Sequence, residues 1–288
     1  MDNIITRKAY AKINLGLDVV RRLPNGYHEV RMIMQNVGIY DVLTFAKAEE
    51  GITLQVDNQE IPADGNNLVC KAAKLLLETA DIRGGVRITL EKNIPIAAGM
   101  AGGSTDAAAA FLGINELYEI GYDIEQLKTL GVKIGADVPY CIQGGTALAE
   151  GIGEVLSELP APPACHLLIA KPDINVSTKF VYENLRANEL EYHPDIDGML
   201  KALNSGDLKG ITGRLGNVLE TVTVPAYPII QEIKNLMLAA GAENALMSGS
   251  GPTVFGMFTE KERAEAAAKE IRKAALANQV FVTGFVNN

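Results

Sequence analysis

Polar and apolar residues alternate strictly near the start of the chain. Ala11, Ile13, Leu15, Leu17 and Val19 fall on one face of an extended strand, and Lys8, Tyr10, Lys12, Asn14 and Asp18 on the other. Pro24-Asn25-Gly26 is a strong turn signal, so a hairpin is expected to return through 27–37. Further short strands fit 41–47 and Ile52–Val56. Asn66 and Asn67 then offer an N-cap to a helix carrying Leu68, Val69, Ala72, Leu75, Leu76 and Leu77. Residues 86–91 alternate again as a strand and end in Asn93-Ile94-Pro95. Behind a glycine-rich stretch, the alanine-rich segment 104–117 predicts a helix, and 124–130 a shorter one capped by Asp123.

Strands are expected at 146–149 and Val155–Leu159. Pro160, Pro162 and Pro163 then interrupt the pattern. They mark either a boundary between two domains, 1–159 and 160–288, or a loop within one lobe. Beyond them come a buried strand at 166–170, polar helices to about Asn217, and a helix at 226–240 stopped by Gly241. Strands at 245–247 and 253–258 flank a 249–252 loop, followed by a Glu/Lys/Ala-rich helix at 260–277 and a final strand at 280–285. Strands and helices mix without strict βαβ alternation, so the expected class is α+β rather than a doubly wound sheet.

Composition narrows what such a chain does. Of 288 residues, 48% are hydrophobic and 21% charged, which supports a sizeable core and excludes wholesale disorder. Lys and Arg number 26 against 35 Asp and Glu, a formal charge of −9. Nucleic acid and anionic membrane are therefore not expected partners, because both favour a basic face. No segment approaches the length of a spanning helix, and 1–10 lacks the apolar core of a signal peptide. Three cysteines without a C-x-x-C pair argue against a disulfide framework or structural zinc, and the expected location is the cytoplasm of a bacterium-like cell. Three histidines with no H-E-x-x-H spacing disfavour a zinc hydrolase. Glycine stands out at 28 residues, about 10% against a usual 7%, in runs around 99–103, 144–153 and 249–251.

The strongest local signal is the run Pro95, Ile96, Ala97, Ala98, Gly99, Met100, Ala101, Gly102, Gly103, Ser104, Thr105, opening into the alanine-rich helix. Free amides at a helix N-terminus and the positive end of its dipole make an anion site, and small residues let phosphate oxygens approach. A tight loop with Ser104 as a plain N-cap is the bland alternative. It is not a Walker A loop, since the chain has no Gly-Lys pair. Gly135-Ala-Asp-Val-Pro139 holds Asp137 between a flexible and a rigid residue; an ordinary capping aspartate would look the same. Lys12 and Asn14 share one strand face, which a solvated sheet face would also explain. Met247-Ser-Gly-Ser-Gly-Pro252 is a glycine turn that does not fit a nucleophile elbow.

In this order the four motifs resemble the galactokinase, homoserine, mevalonate and phosphomevalonate (GHMP) kinase superfamily over essentially the whole chain. Ala11-Lys12-Ile13-Asn14-Leu15, Asn25-Gly26-Tyr27-His28 and Gly135-Ala-Asp-Val-Pro-Tyr140 are the discriminating features. The resemblance implies a two-lobed fold with the active site in the cleft between lobes. It implies transfer of the ATP γ-phosphoryl group to the C2 hydroxyl of a cytidine-diphosphate-linked methylerythritol, in the non-mevalonate isoprenoid route. Asp137 and Lys12 are then catalytic, Asp137 as base and Lys12 holding it ionised. Pro95 to Thr105 cradles the ATP phosphates, with Mg²⁺ bridging two of them. Asn67, Leu68 and Lys92 lie near the nucleotide base, and Gly249, Ser250 and Gly251 form a third motif beside the active site. Asn14, Tyr27, His28, Asp137, Thr178 and Tyr182 bind the acceptor, with Tyr27 and Tyr182 as stacking platforms for cytosine. The partners implied are these two small molecules, in a monomer or weak homodimer. Ala98, Met100 and Ala101 depart from the most glycine-rich form of the loop. A different small-molecule kinase or decarboxylase on the same scaffold, or a non-catalytic nucleotide-binding regulator, are the competing readings.

Overall fold

The structure is a computed structural model describing residues 4–287. It contains two compact units that interleave along the chain. Within the described residues the first comprises 4–11, Ile39–Ile94 and Ala101–Gly144; the second comprises Lys12–Gly38, Pro95–Met100 and 145–287. Strands β1 (Ile4–Arg22) and β2 (His28–Ala48) are neighbours in the sheet order, and each contributes to both units. They join through the expected turn, where Leu23 N donates to Tyr27 O at 2.7 Å and Tyr27 N to Asn25 Oδ1 at 3.1 Å. The strands anticipated at 27–37 and 41–47 are one continuous β2. Gly38 does not break it; instead its N–H donates to Gly284 O at 3.0 Å, and a Cβ there would lie 2.5 Å from Thr283 Oγ1. That glycine marks a close backbone approach.

In the first unit, β3 (Ile52–Val56) is followed by α1 (Leu68–Thr79), β4 (Gly85–Glu91), α2 (Gly102–Leu117), α3 (Ile124–Gly131) and α4 (Val138–Gln143). β4 pairs antiparallel with residues 42–48 of β2 and parallel with β3. Phe45, Ile88 and Leu90 bury against Leu76, Ala107, Ala110 and Phe111 in one apolar core. Gly113 lets α2 settle there, since a Cβ would meet the Phe45 ring at 2.4 Å. Asn67 caps α1, and Asp123 with Gln126 forms a capping box on α3.

In the second unit, residues 32–35 of β2 pair with β5 (Thr146–Glu150), and β5 with β6 (Val155–Leu159). Then come β7 (His166–Lys171), α5 (Thr178–Asn184), α6 (Ile196–Ser205), α7 (Leu208–Thr212) and β8 (Gly216–Asn217). β8 pairs parallel with β1 through Gly16 and Leu17. α8 (Glu220–Ala226), α9 (Ile229–Ala239), β9 (Asn244–Met247), β10 (Val254–Phe258), α10 (Lys261–Lys273) and β11 (Gln279–Thr283) complete the chain. A second sheet runs β11-β7-β10-β9. The helix expected at 226–240 begins only at Ile229, because Tyr227 precedes Pro228 and leaves the helical region at φ −136°, ψ 78°, and the separate α8 ahead of it was not anticipated. The division expected after Leu159 falls between β6 and β7, which belong to different sheets and to the same compact unit.

Candidate active site

Helix α2 begins at Gly102, two residues before the expected start, so Ser104 is not its N-cap. Ala101 is, with φ +56° and no side-chain cap bond. Left-handed backbone costs an alanine about 1–2 kcal/mol, so the segment takes a glycine-type path with a residue that resists it. The first turn of α2 consequently presents Gly102, Gly103 and Ser104 amides with no capping side chain. A Cβ on Gly103 would find its nearest neighbour, Leu68 Cδ1, at 3.6 Å, and one on Gly102 would lie 3.4 Å from Lys92 Nζ. Leu68 and Lys92 therefore flank this turn, and Asn67 is held beside it by Val69 N and Pro62 O.

Lys92 is buried rather than offered to solvent. Its ammonium bonds Asp41 and, at 2.7 Å, Asp106 Oδ2. Asp41 Oδ1 also accepts from Asn93 N at 2.6 Å and Ile94 N at 2.8 Å, pinning the chain where it leaves β4. Asp106 Oδ1 is buried without a hydrogen-bond partner. Burial pushes the Asp106 carboxyl up to about 8, Lys92 opposing and Asp41 reinforcing the shift. A proton on Asp106 leaves one cation facing one carboxylate.

Asp137 is the N-cap residue of α4, and its side chain makes no cap bond to that helix. A Cβ on Gly135 would lie 4.0 Å from Ser104 Oγ, so the Gly-Ala-Asp turn and the start of α2 are adjacent. Thr105 Oγ1 points elsewhere and donates to Tyr10 O at 2.8 Å.

The second unit holds the other half of the loop. Lys12 and Asn14 do not face solvent as an open sheet face would require; they are 5% and 0% exposed. Lys12 Nζ donates to Asn14 Oδ1 at 2.7 Å, and Asn14 Nδ2 approaches Met32 Sδ at 3.5 Å. The Lys12 backbone N–H donates to Met100 O at 3.2 Å, tying the loop to β1. Gly99 packs against the third motif: a Cβ on it would fall 2.2 Å from Ser248 O, and one on Gly249 2.9 Å from Gly99 O. Thr178 Oγ1 and Ser250 Oγ share a hydrogen bond of 2.9 Å. Pro95 and Ala98 are buried, Ile96 is half-buried, and Ala97 is exposed at φ +50°.

His28 and Tyr182 meet ring to ring, with centroids 5.1 Å apart and planes inclined by 37°. Tyr27, expected opposite Tyr182, sits in the turn and is 58% exposed. Beside His28 runs a cleft lined by Arg22, Leu185, Arg186 and Glu189. Burial and then Arg22 lower the His28 pKa, which favours the neutral imidazole at pH 7.

Asp41 and Asp106 beneath Lys92 were not legible in the sequence as a buried pair. Asp106 alone carried a signal, a carboxylate inside an alanine run. Among the described residues no group of three or more His, Cys, Asp and Glu side chains is placed to hold a metal ion. Nor is any helix among them long and apolar enough to cross a membrane.

The description GHMP kinases N terminal domain matches residues 67–145, and GHMP kinases C terminal matches 199–277. A 4-diphosphocytidyl-2-C-methyl-D-erythritol kinase of Lachnospira eligens is 52% identical over 280 residues, 97% of each chain. One from Lachnoclostridium phytofermentans is 52% identical over 284 residues, 98% of each. A crystal structure of a 4-(cytidine 5'-diphospho)-2C-methyl-D-erythritol kinase superimposes with a TM-score of 0.84 at 34% identity, covering 99% of this chain and 100% of the other.

Proposed function

This chain belongs to the 4-diphosphocytidyl-2-C-methyl-D-erythritol kinases of the GHMP kinase family, ATP-dependent enzymes of isoprenoid biosynthesis, and from that premise we propose how its residues share the reaction. The acceptor is the C2 hydroxyl of the cytidine-diphosphate-linked methylerythritol. Asp137 accepts the hydroxyl proton as the oxygen bonds to the γ-phosphorus, and the bond from that phosphorus to the β,γ-bridging oxygen breaks to release ADP. Lys12 offsets the charge developing on the phosphoryl oxygens. Asn14 orients the Lys12 ammonium and meets the reacting hydroxyl, with Thr178 nearby. Such transfer depends on positioning and charge neutralisation more than on covalent chemistry.

The observation that carries this reading is the burial of Lys12 on β1, its ammonium on Asn14 and its amide on Met100 of the loop. A lysine is rarely buried unless its charge is used or paired. Within 95–105 the amides of Gly102, Gly103 and Ser104 take the ATP phosphates, and Asn67 and Leu68 border the base. Lys92, engaged with Asp41 and Asp106, supports the loop from beneath. Mg²⁺ arrives as the metal complex of ATP, where it neutralises phosphate charge; a metal carried on its substrate needs no carboxylate cluster in the chain. Tyr182 and His28 receive the cytosine, with Tyr27 free to cover it. Both substrates are small molecules, and the setting is cytoplasmic, which suits three cysteines without a disulfide among the described residues.

A coupled ADP-release assay tests the reading. Turnover is expected with the cytidine-diphosphate methylerythritol and not with mevalonate or homoserine. Comparable turnover on either of the latter overturns the acceptor assignment, and binding of ATP without turnover on any of them overturns the enzymatic one.

A further inference from the structure

Asn217 stands on β8, opposite Leu17 of the strand that carries Lys12 and Asn14. Its side chain is buried and fully used. Nδ2 donates to Met247 O and to Gly249 O, both at 2.8 Å, and Oδ1 accepts from Leu219 N at 2.9 Å. Two carbonyl acceptors and one N–H donor fix the amide's orientation, and only a primary amide supplies that pattern at this size.

The segment it grips is the one that touches the phosphate loop. Ser248 Oγ donates to Gly99 O at 3.0 Å, and the backbones of Gly99 and Gly249 meet with no room for a Cβ on either. Thr223 Oγ1 donates to Ser250 O at 3.2 Å, and Glu220 Oε1, itself paired with Lys234, accepts from Met247 N at 2.9 Å. Glycines at 99, 249 and 251 all lie at positive φ, a path that other residues resist. The chain of contacts runs from Asn217 through Met247 and Gly249 to Gly99, and one residue on to Met100, which binds the Lys12 backbone.

We propose that Asn217 is a positioning residue for nucleotide binding: its side-chain amide holds 247–249 against Gly99 and thereby fixes the loop that receives the ATP phosphates. The inference rests on assigning 95–105 to those phosphates. It makes the third motif a buttress that one asparagine outside the motif holds together with Thr223 and Glu220. The side-chain bonds of Asn217 all go to backbone groups, so its loss acts through the loop and weakens ATP binding far more than acceptor binding.

Asn217→Asp is the sharpest variant, because it keeps the size and sets carboxylate oxygens against two carbonyl oxygens. The KM for ATP, and the dissociation constant of ADP measured by calorimetry, are both expected to rise about tenfold or more, as loss of two buried donors implies. The acceptor KM should stay within about twofold of the parent. Ser248→Ala removes only the bond to Gly99 O and should shift ADP affinity about threefold in the same direction; it reads the inference if Asn217→Asp does not fold. Unchanged ADP affinity in Ser248→Ala, or equal losses for ATP and acceptor in step with a lowered Tm, would overturn it. Gly103→Val separates this inference from the reading beneath it. If Gly103→Val binds ADP normally, the loop assignment itself fails. If it loses ADP while the Asn217 and Ser248 variants keep it, the Asn217 inference fails alone.

Discussion

Around Gly99 the chain is packed backbone against backbone. Ser248, Gly249 and Gly251 crowd a residue at φ +70°, and Ser248 Oγ donates to the carbonyl of Gly99 itself. Around His28 the packing is of another kind: two rings on β2 and α5 meet at 5.1 Å beside a cleft edged by arginines, and Tyr27 next door is left exposed. On the proposed reading the first region would meet its ligand by chain path, and at Gly99 there is no room for an added atom. The second would meet its ligand by side chains, where change costs affinity. Substitutions in the two regions should therefore fail differently, the first through the fold and the second through one substrate's KM.

The largest effect is expected at Gly99. In Gly99→Ala the new Cβ would sit 2.2 Å from Ser248 O at a left-handed φ, and stability should fall by at least about 2 kcal/mol in urea unfolding. Gly103→Val has free space nearby and should leave Tm close to the parent while ATP affinity drops by more than about tenfold. If the two variants behave alike, the region is uniformly structural and the contrast fails. On the other side, Tyr182→Ala should raise the acceptor KM about tenfold, with Tyr182→Phe nearly silent, since aromatic stacking contributes about 1–3 kcal/mol per base. A lowered Tm with an unchanged KM would make Tyr182 a packing residue only.

Acidity offers a smaller handle beneath the loop. An unfolded chain releases the Asp106 proton near pH 4, but the folded protein holds it to about 8, so the folded state binds more protons between those values. Stability must then fall as pH rises through that window, by at most about 1.4 kcal/mol per unit from this group. Asp106→Asn fixes the neutral form and should flatten the dependence relative to the parent. Identical slopes of Tm against pH in both proteins would show that Asp106 is ionised throughout. Smallest of all, Ala101→Gly should stabilise by about 0.5–1 kcal/mol, the left-handed strain relieved less the glycine entropy, and a decrease would place the strain elsewhere.

The loop was legible in the sequence because its path is written in residue size: glycines, alanines and a helix start leave a mark that needs no partner. The caps at Asn67 and Asp123 were legible for the same local reason. Lys12 and Asn14 showed only a shared face; their burial depends on what packs over β1, which alternation does not encode. The ring pair was half legible, since Tyr182 was named but joined to Tyr27 rather than His28. The turn that starts β2 at His28 decides which of two adjacent rings points back. Asp41, Asp106 and Asn217 lie far apart in sequence from what they hold, and no spacing rule brings them to notice. Helix α4 was missed because its six residues, with a proline among them, carry no period.

The central claim is that this protein moves a phosphoryl group with Asp137 as the proton acceptor. Asp137→Asn keeps the turn's shape and removes the base, so pre-steady-state turnover on the cytidine-diphosphate methylerythritol, read beside ADP affinity, tests it most directly. Turnover is expected to fall about 10²–10⁴-fold with ADP affinity unchanged, the usual contribution of a positioned base. Turnover within a few-fold of the parent would contradict the assignment and remove Asp137 from the chemistry.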